Sequence, residues 1–367
     1  MRERGPERED RVPDPPILRG GTKEVTVTNA GPHLLLVGLG NRSTRLLRAL
    51  RTARTPLRVS AVVDPAPTTG DRVAELVGEG LLPGPVPVHQ SVEEALAAGR
   101  PEVALVAGPH DTHQAAVLAL ARAGVAVWKE KPYALTLADA AELAALPHPG
   151  VRVMAHRPHG PLLRQAMAQL PEWGRLLSYR IRITRPTGDY SGTWRADRAR
   201  SGGGAICDLG YHAFDLIARI APDPVSVYAV TPEPPAHRPP VDVEERAWIT
   251  VNHRGGCRGL VELSRCDEQA DDVELVAEHG RFDLTGDRAR FEMPEHVGLA
   301  QTVESTSVAD PWSAMLRHHA ATLTDRRITA EHARLGLIAV ALTEAAYTSL
   351  DNQSPAFVAD TSHLEVS

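Results

Sequence analysis

The sequence predicts an α/β protein with two parts, an N-terminal doubly wound parallel sheet and a C-terminal α/β part built on an open, mostly antiparallel sheet. From residue 33 onward, short apolar runs alternate with longer helical stretches, which is typical of a parallel sheet covered on both faces. After about residue 155, strand-like segments follow one another with few helices between them, and several alternate apolar with polar residues. With 367 residues and 43% hydrophobic composition, the chain is long enough for two packed cores.

The first part is a regular series of strands and helices. Its apolar runs are short and nearly continuous, as expected for strands buried on both faces. We expect this series to form one domain over residues 31–155. The strands are predicted at 33–38, 57–64, 102–108 and 125–128, and the helices at 43–53, 71–80, 112–124 and 136–146.

The second part is predicted to form a domain over residues 156–367. A helix over 331–350 closes it, and the apolar stripe of this helix can pack back onto the N-terminal domain. Residues 1–30 are charged and rich in proline, so we expect a disordered leader there. Strands are predicted at 175–184, 225–230, 246–252, 257–266, 272–280 and 288–293.

Composition and charge argue against several classes of protein. A net charge of -6 and a pI near 6.2 provide no basic surface for nucleic acid. No uninterrupted apolar stretch is long enough to cross a bilayer, so no membrane partner is expected. Cys207, Cys257 and Cys266 show no C-x-x-C spacing and cannot all pair. Neither a disulfide framework nor a zinc site is indicated, and a cytoplasmic protein is expected.

The segment VGLGNRS lies between the first predicted strand and the first predicted helix. Gly38 permits a tight turn, Gly40 lets a pyrophosphate approach the backbone, and the helix N-terminus supplies free N–H groups. Asp64 ends the second strand, where a carboxylate can bind the adenosine ribose and would repel a 2′-phosphate. The pattern predicts a dinucleotide site of the Rossmann type that favours NAD over NADP, although Arg42 could offset the repulsion. An ordinary turn is the alternative, because Ser43 stands where the fingerprint prefers glycine.

Two further motifs follow the ends of later strands, where open α/β sheets bind their ligands. In AGPHDTH, the residues Pro109, His110 and His113 are placed to border a cofactor, although spacing alone favours a helix start with two surface histidines. In WKEKPYALTLADA, Pro132 forces a non-helical backbone at Lys131, which can direct the ammonium group into the crevice. By itself, a lysine in a loop is usually a solvated charge.

The segment SGGGAICDLGYHAFD places Asp208, His212 and Asp215 at helical spacing directly after three glycines. The glycines would let a substrate or a nicotinamide approach the backbone. His212 is the natural group to exchange a proton near neutral pH, and a carboxylate one turn away can hold it or bind the same substrate. A capped surface helix that carries a histidine is the alternative. No metal site is predicted, because one histidine and two carboxylates are a weak ligand set.

Taken in order, VGLGNRS, VVDP, GPHDTH, EKPYALTLADA, WRAD and SGGGAICDLGYHAFD resemble the glucose–fructose oxidoreductase and inositol dehydrogenase family, also called Gfo/Idh/MocA, over residues 33–350. The resemblance implies an N-terminal Rossmann domain and a C-terminal α/β domain whose open sheet often mediates oligomers, here a homodimer or homotetramer. It also implies hydride transfer between NAD, or NADP, and a carbinol or carbonyl carbon of a sugar, cyclic polyol or keto-sugar. A cis bond between Lys131 and Pro132 is implied as well.

The motifs and the resemblance together assign a role to each candidate residue. The candidate catalytic residues are Lys131, which matches the lysine of E-K-P, and Asp208 and His212, which match the D-x-G-x-H pair. Whether Lys131 or His212 is the principal acid–base group stays open. The candidate substrate-binding residues are Trp194, Arg195, Asp208 and His212. The candidate cofactor-binding residues are Gly38, Gly40, Asn41, Arg42, Ser43, Asp64, Pro109, His113, Glu130 and Lys131.

The sequence departs from the family pattern at three points, and the first is Ser43, which replaces the third glycine. His110 stands where asparagine is frequent in similar proteins, and HRPHG at 156–160 only partly matches the segment around a substrate-lining arginine, so no particular substrate is predicted. Two other functions are compatible with the motifs: an NAD-dependent glycosidase that works by transient oxidation without net cofactor turnover, and a non-catalytic cofactor-sensing protein. Retention of the three candidate catalytic residues argues against the sensor, since a sensor needs no proton transfer.

Overall fold

The computed structural model describes residues 31–235, 238–292, 301–304, 310–364 and 366, with side chains described outside 301–304. The predicted leader, residues 1–30, lies outside the described residues, and so does the last residue of the strand predicted at 288–293. Over the described ranges, no helix combines the length and the apolar character needed to cross a bilayer.

The first part of the chain alternates strands with helices and forms a six-stranded sheet. All neighbouring strands pair in parallel, in the order β3-β2-β1-β4-β5-β6, which confirms the predicted doubly wound sheet. The elements are β1 His33–Val37, α1 Asn41–Ala53, β2 Arg58–Val63, α2 Thr69–Gly78, β3 Val88–His89, α3 Val92–Ala98, β4 Val103–Val106, α4 His113–Arg122, β5 Ala126–Lys129, α5 Leu137–Ala144 and β6 Val151–Val153.

The second part forms a nine-stranded sheet in the order β14-β13-β12-β11-β7-β10-β9-β8-β15. Only β7 and β10 pair in parallel among these described strands, so the sheet is mostly antiparallel, as predicted. The elements are α6 Pro161–Gln169, β7 Leu176–Thr184, α7 Arg198–Ser201, α8 Tyr211–Ile220, β8 Pro224–Val230, β9 Arg246–His253, β10 Arg258–Ser264, β11 Ala270–Ala277, β12 Arg281–Thr285, β13 Arg288–Glu292, β14 Gln301–Glu304, α9 Pro311–Ala321, α10 Arg326–Asn352 and β15 Ala356–Phe357.

The two sheets differ in how they are covered. Every residue of β4 is buried, because helices lie on both faces of the parallel sheet. In β9, by contrast, Ala247, Ile249 and Val251 are fully buried, while Trp248 between them is 52% exposed. The period of two shows that the second sheet has one covered face and one open face.

The long helix α10 contacts both parts of the chain. It packs against α8 and β8 in the second part and against α5 in the first. Gly336 lies so close to Tyr133 that a Cβ there would be 2.3 Å from the ring. The backbone N–H of Leu137 donates to the carboxylate of Glu344 at 2.7 Å. Through these contacts, α10 supports the loop that follows β5.

Candidate active site

A cleft of about 810 Å³ opens where the strand order of the parallel sheet reverses, outside the carboxyl ends of β1 and β4. Residues that follow strands of the first sheet line one side, and residues from the second part of the chain line the other. All of the candidate residues except Ser43 and His113 line this cleft. They are Gly38, Gly40, Asn41, Arg42, Asp64, Pro109, Glu130, Lys131, Trp194, Arg195, Asp208 and His212.

The turn after β1 is held from behind by side chains and leaves its front face open. Gly38 has φ +86°, and a Cβ there would come within 2.9 Å of the Gly108 backbone nitrogen. At Gly40 a Cβ would meet no atom within 4 Å, so the space above it is open. Ser43 is fully buried, and its hydroxyl donates to the Gly38 carbonyl oxygen. The side chain of Ser43, a candidate cofactor-binding residue, thus points back into the protein and fixes the turn instead of lining the cleft.

Asp64 follows β2 and is oriented by backbone donors. The N–H of Leu39 donates to one carboxylate oxygen at 2.7 Å, and the N–H of Ala66 donates to the other at 2.9 Å. Arg42 points elsewhere, because its Nε lies 3.5 Å from the carboxylate of buried Glu130. The guanidinium that could offset the repulsion of a 2′-phosphate is thus directed to another carboxylate.

Of the two histidines that follow β4, one lines the cleft and the other is buried behind it. His110 lines the cleft, where its Nδ1 lies 2.8 Å from the Ser201 carbonyl oxygen and its ring packs edge-on against Trp194. Burial is the main cause that lowers the pKa of His110 to about 3. His113 is buried behind it, with Nε2 2.9 Å from the Gly108 carbonyl oxygen. The first turn of α4 directs His113, a candidate cofactor-binding residue, inward to support Gly108, so its side chain does not line the cleft.

The E-K-P loop after β5 presents Lys131 to the cleft. The Lys131–Pro132 bond is cis, as predicted. Lys129, two residues earlier, is buried and donates to the carbonyl oxygens of Pro132 and, at 2.9 Å, of Tyr133. Burial lowers the pKa of Lys129 to about 7. Lys129 therefore holds the backbone of the loop from inside, while Lys131 faces outward.

Lys131 and Asp208 form an ion pair across the two parts of the chain. The Lys131 ammonium donates to the Asp208 carboxylate and, at 2.8 Å, to the Asp208 carbonyl oxygen. Arg265 binds the other carboxylate oxygen at 3.2 Å. Burial alone would raise the pKa of Asp208, but the charges of Lys131 and Arg265 outweigh it and hold that pKa well below its usual range. Asp208 is therefore an anion that fixes the position of Lys131.

The expectation that Asp208, His212 and Asp215 form one polar stripe is wrong. The chain is π-helical over Ile206–Gly210 and becomes α-helical only from Tyr211, so α-helical spacing does not hold across this segment. Asp208 binds Lys131 and Arg265 instead of His212. Asp215 is buried away from the cleft, and both of its oxygens accept from Arg219.

The three glycines before the π-turn are required mainly by packing. Gly203 has φ +140°, and a Cβ there would overlap the hydroxyl of Tyr347 at 1.7 Å. A Cβ at Gly204 would lie 1.9 Å from the Glu244 carbonyl oxygen. The Glu244 carboxylate accepts from the N–H groups of Gly204 and Ile206 at 3.1 and 2.7 Å and caps the helix. Of the three, Gly203 alone is among the cleft-lining residues. Of these three glycines, a ligand in the cleft can therefore approach the backbone only at Gly203.

His212 lies deep in the cleft beside a second histidine. The ring of His156 packs edge-on against His212 with centroids 5.2 Å apart, and its other face stacks on Trp312 at 4.0 Å. Burial, followed by the charges of Arg157, His156 and Lys131, lowers the pKa of His212 well below its ordinary value. The imidazole is thus neutral near pH 7, and its buried Nδ1 has no hydrogen-bond partner among the described residues.

Three residues of this site could not be predicted from sequence motifs. Arg265 follows β10, Trp312 begins α9, and Glu244 lies in the loop before β9. Each is far in sequence from the residue that it contacts, so no local spacing marks it. The segment HRPHG, which contains His156, was the one local signal near this wall of the cleft. Trp194 and Arg195 line the same cleft, and the Arg195 guanidinium is 4.4 Å from the Trp194 ring centroid.

The open end of the cleft fits a nicotinamide dinucleotide. The open space above Gly40 and the first N–H groups of α1 suit a pyrophosphate, and the oriented carboxylate of Asp64 suits a ribose. Glu130 has a buried oxygen without a hydrogen-bond partner in the described structure, so it can accept from a second ribose hydroxyl. No group of three or more metal-ligating side chains occurs within the described ranges.

Family comparisons agree with this geometry. Residues 33–154 match the oxidoreductase family with an NAD-binding Rossmann fold, and residues 164–292 match the Gfo/Idh/MocA C-terminal domain. The protein is therefore an oxidoreductase whose N-terminal domain binds NAD. It belongs to the Gfo/Idh/MocA family.

Individual relatives cover the chain to different extents. A protein of Amycolatopsis mediterranei, whose name describes it as the oxidoreductase subunit of a UDP-kanosamine synthase, is 31% identical over 189 residues, 50% of this chain and 50% of that protein. D-apiose dehydrogenase of Paraburkholderia graminis is 29% identical over 265 residues, 65% of this chain and 68% of that protein. The solved structure of levoglucosan dehydrogenase in complex with NADH has a TM-score of 0.76 and 17% identity over 90% of this chain and 100% of that chain, and this likeness shows the fold.

Proposed function

We propose that this protein transfers a hydride between NAD and a carbinol or carbonyl carbon of a sugar or related polyol. One observation carries the proposal: the Lys131–Asp208 ion pair and neutral His212 lie in the same cleft as the glycine turn and Asp64. Two relatives support a sugar as the substrate class, because one is named D-apiose dehydrogenase and the other is named as the oxidoreductase subunit of a UDP-kanosamine synthase.

The cofactor is held by residues that follow the strands of the first sheet. The backbone at Gly40 and Asn41 binds the pyrophosphate, Asp64 binds the adenosine ribose, and Glu130 binds near the nicotinamide ribose. When bound, NAD supplies the carbon that accepts or returns the hydride. NAD is favoured over NADP, because Asp64 repels a 2′-phosphate and Arg42 is directed to Glu130.

Lys131 and His212 are the two side chains that act on the reacting oxygen of the substrate and its proton. Lys131, held by Asp208, donates a hydrogen bond to the reacting oxygen of the substrate and stabilises negative charge that develops there. When an alcohol is oxidised, the neutral imidazole of His212 accepts the hydroxyl proton, and in the reverse direction it returns that proton. Because Asp208 is bound to Lys131 and Arg265, its role is to position the lysine.

The two parts of the chain are assigned different binding roles in this proposal. Residues 31–155 bind the cofactor, and residues 156–367 bind the substrate and a second copy of the chain. On the open face of the second sheet, Tyr228, Trp248, Leu260 and Phe357 are 40%, 52%, 37% and 83% exposed. An apolar face of this kind is suited to association, so we expect a homodimer or homotetramer. The three free cysteines support a cytoplasmic location.

A substrate screen tests the proposed reaction. NAD and NADP are incubated with sugars and polyols, and NADH and NADPH with keto-sugars, while absorbance of the reduced nicotinamide is followed. We expect net NADH formation or consumption with at least one sugar and a slower reaction with NADP. Sugar cleavage without net change in NADH would contradict a dehydrogenase and indicate the glycosidase reaction. In the same preparation, light scattering at micromolar concentration should report an oligomer, and a monomer would contradict the assembly.

A further inference from the structure

The cleft carries far more positive charge than the protein as a whole. Eight arginine and lysine side chains and only three carboxylates line it, within a chain of net charge -6. Five of the eight cations pair with carboxylates among the described residues, so their charge is already offset. These pairs are Lys131 and Arg265 with Asp208, Arg42 with Glu130, Arg157 with Asp271, and Arg200 with Asp111.

Two of the remaining cations, Arg45 and Arg185, line the same cleft as His212. Arg45 lies on α1, with its guanidinium 4.9 Å from the centroid of the Trp312 ring, and Arg185 directly follows β7 in the second part of the chain. No carboxylate of the described structure lies within ion-pair distance of either guanidinium. Burial, then the charges of Arg42 and Arg185, lower the pKa of Arg45, while the more weakly acting charges of Asp310 and Glu130 oppose this shift.

The position of this pair relative to the reacting groups follows from His156. The positive charges of Arg45 and Arg185 both act to lower the pKa of His156, after burial and the charge of Arg157. The His156 ring is 5.2 Å from the ring of His212. Arg45 packs over the Trp312 ring, which stacks on His156, so it lies on the wall of the cleft that carries His212, and Arg185 lines the same cleft.

We propose that Arg45 and Arg185 bind an anionic group of the substrate, a carboxylate or a phosphoryl group, so that the protein acts on an acidic sugar in preference to a neutral one. A guanidinium presents two parallel N–H donors that match the oxygens of either group. An anion between two unpaired cations removes their repulsion, whereas a neutral sugar leaves it. This inference rests on the proposed function, because it names the substrate class of the same cleft.

The pyrophosphate of the cofactor is a competing source of negative charge. Its place is the glycine turn and the start of α1, whereas Arg45 lies a turn further along this helix and Arg185 comes from the C-terminal sheet. If Arg45 and Arg185 bound the pyrophosphate, replacing them would weaken the binding of NADH. A measurement that separates binding of sugar from binding of NADH therefore decides between the two.

The test uses the enzyme–NADH complex and three matched sugar series at constant ionic strength. The probes are glucose, galactose and mannose, each with its uronate and its 6-phosphate, and binding is followed by the change in NADH fluorescence. The variants are Arg45→Gln and Arg185→Gln. Arg48→Gln is the matched control, because Arg48 lies on the same helix, is exposed, and pairs with Glu79 away from the cleft.

We expect at least one acidic sugar to bind about tenfold or more tightly than its neutral parent. Each of Arg45→Gln and Arg185→Gln should weaken that binding about 10- to 100-fold, since each removes charged hydrogen bonds. Arg48→Gln should change nothing, and NADH affinity should stay within about twofold in all three variants. Tighter binding of the uronate identifies a carboxylate, and tighter binding of the 6-phosphate identifies a phosphoryl group.

Four results would overturn the inference. Neutral sugars that bind as tightly as their acids, or no binding by any of the nine probes, would remove the preference for an anion. Acid binding that survives both substitutions would place the anion elsewhere. NADH binding that weakens as much as acid binding would assign the pair to the cofactor. Failure of the wild-type protein to bind NADH would instead contradict the proposed function.

Discussion

The two ends of the cleft are built in different ways. At the cofactor end, Gly38, Gly40 and Asp64 follow adjacent strands of one sheet, and backbone groups orient them. At the reacting end, Lys131 and Asp208 come from different parts of the chain and are held by charge. The cofactor end therefore depends on local geometry, whereas the reacting end depends on how the two parts of the chain are packed together.

The two ends also differ in charge. The adenosine end has the single carboxylate of Asp64, while the reacting end has an excess of arginines. Repulsion of a 2′-phosphate at one end and attraction of an anion at the other therefore occur within one cleft. Substitutions at one end should change the choice of cofactor, and substitutions at the other end should change turnover and substrate affinity.

The largest effect is expected at Lys131. Replacing it with alanine removes the donor to the reacting oxygen and leaves Asp208 with Arg265 as its partner. Positioned acid–base groups contribute roughly 10²- to 10⁴-fold, so kcat of Lys131→Ala should fall by about this factor. Combined with His212→Ala, the loss should be much smaller than the product of the two single losses, because the groups act as a unit. Steady-state kinetics check both statements, and fully multiplicative losses would show that the two groups act independently.

A smaller effect, confined to the cofactor end, is expected at Asp64. Asp64→Ala removes the acceptor for the ribose hydroxyls, so NADH should bind about 10- to 100-fold more weakly, while NADPH affinity changes less. Fluorescence titration measures both constants. Asp71→Ala is the control, since Asp71 is exposed on α2 outside the cleft. Equal losses of affinity for NADH and NADPH would show that Asp64 does not bind the ribose.

The smallest effect is expected at Ser43, which supports the glycine turn from behind. Ser43→Ala removes one buried hydrogen bond to Gly38, which should lower the free energy of unfolding by about 1 kcal/mol. NADH affinity should change by less than about twofold. Urea unfolding and NADH titration of the same preparation test this prediction. A large loss of NADH affinity at unchanged stability would mean that Ser43 contacts the cofactor after all.

The same contrast explains how much could be predicted from the sequence. The apolar periodicity located the main strands and the fold class, and the glycine turn with Asp64 was predictable because each residue adjoins a strand end. The short strand Val88–His89 and helix α9 were missed, because two residues carry no period and α9 has few local signals. The partners of Asp208 were mistaken, since the π-turn breaks the assumed spacing. Arg265 and Trp312 reach the cleft through packing alone, which no local pattern encodes.

The pH dependence of turnover in the His212→Ala variant tests the central claim most directly. Burial keeps the pKa of His212 well below its ordinary value, so the neutral imidazole, which can accept a proton, is favoured at neutral and higher pH. With the substrate found in the screen, kcat of His212→Ala should be about 10²- to 10⁴-fold below that of the wild type across this range, with NADH affinity nearly unchanged. Full turnover of His212→Ala from pH 6 to 9 would contradict the account and move the acid–base role to Lys131 alone.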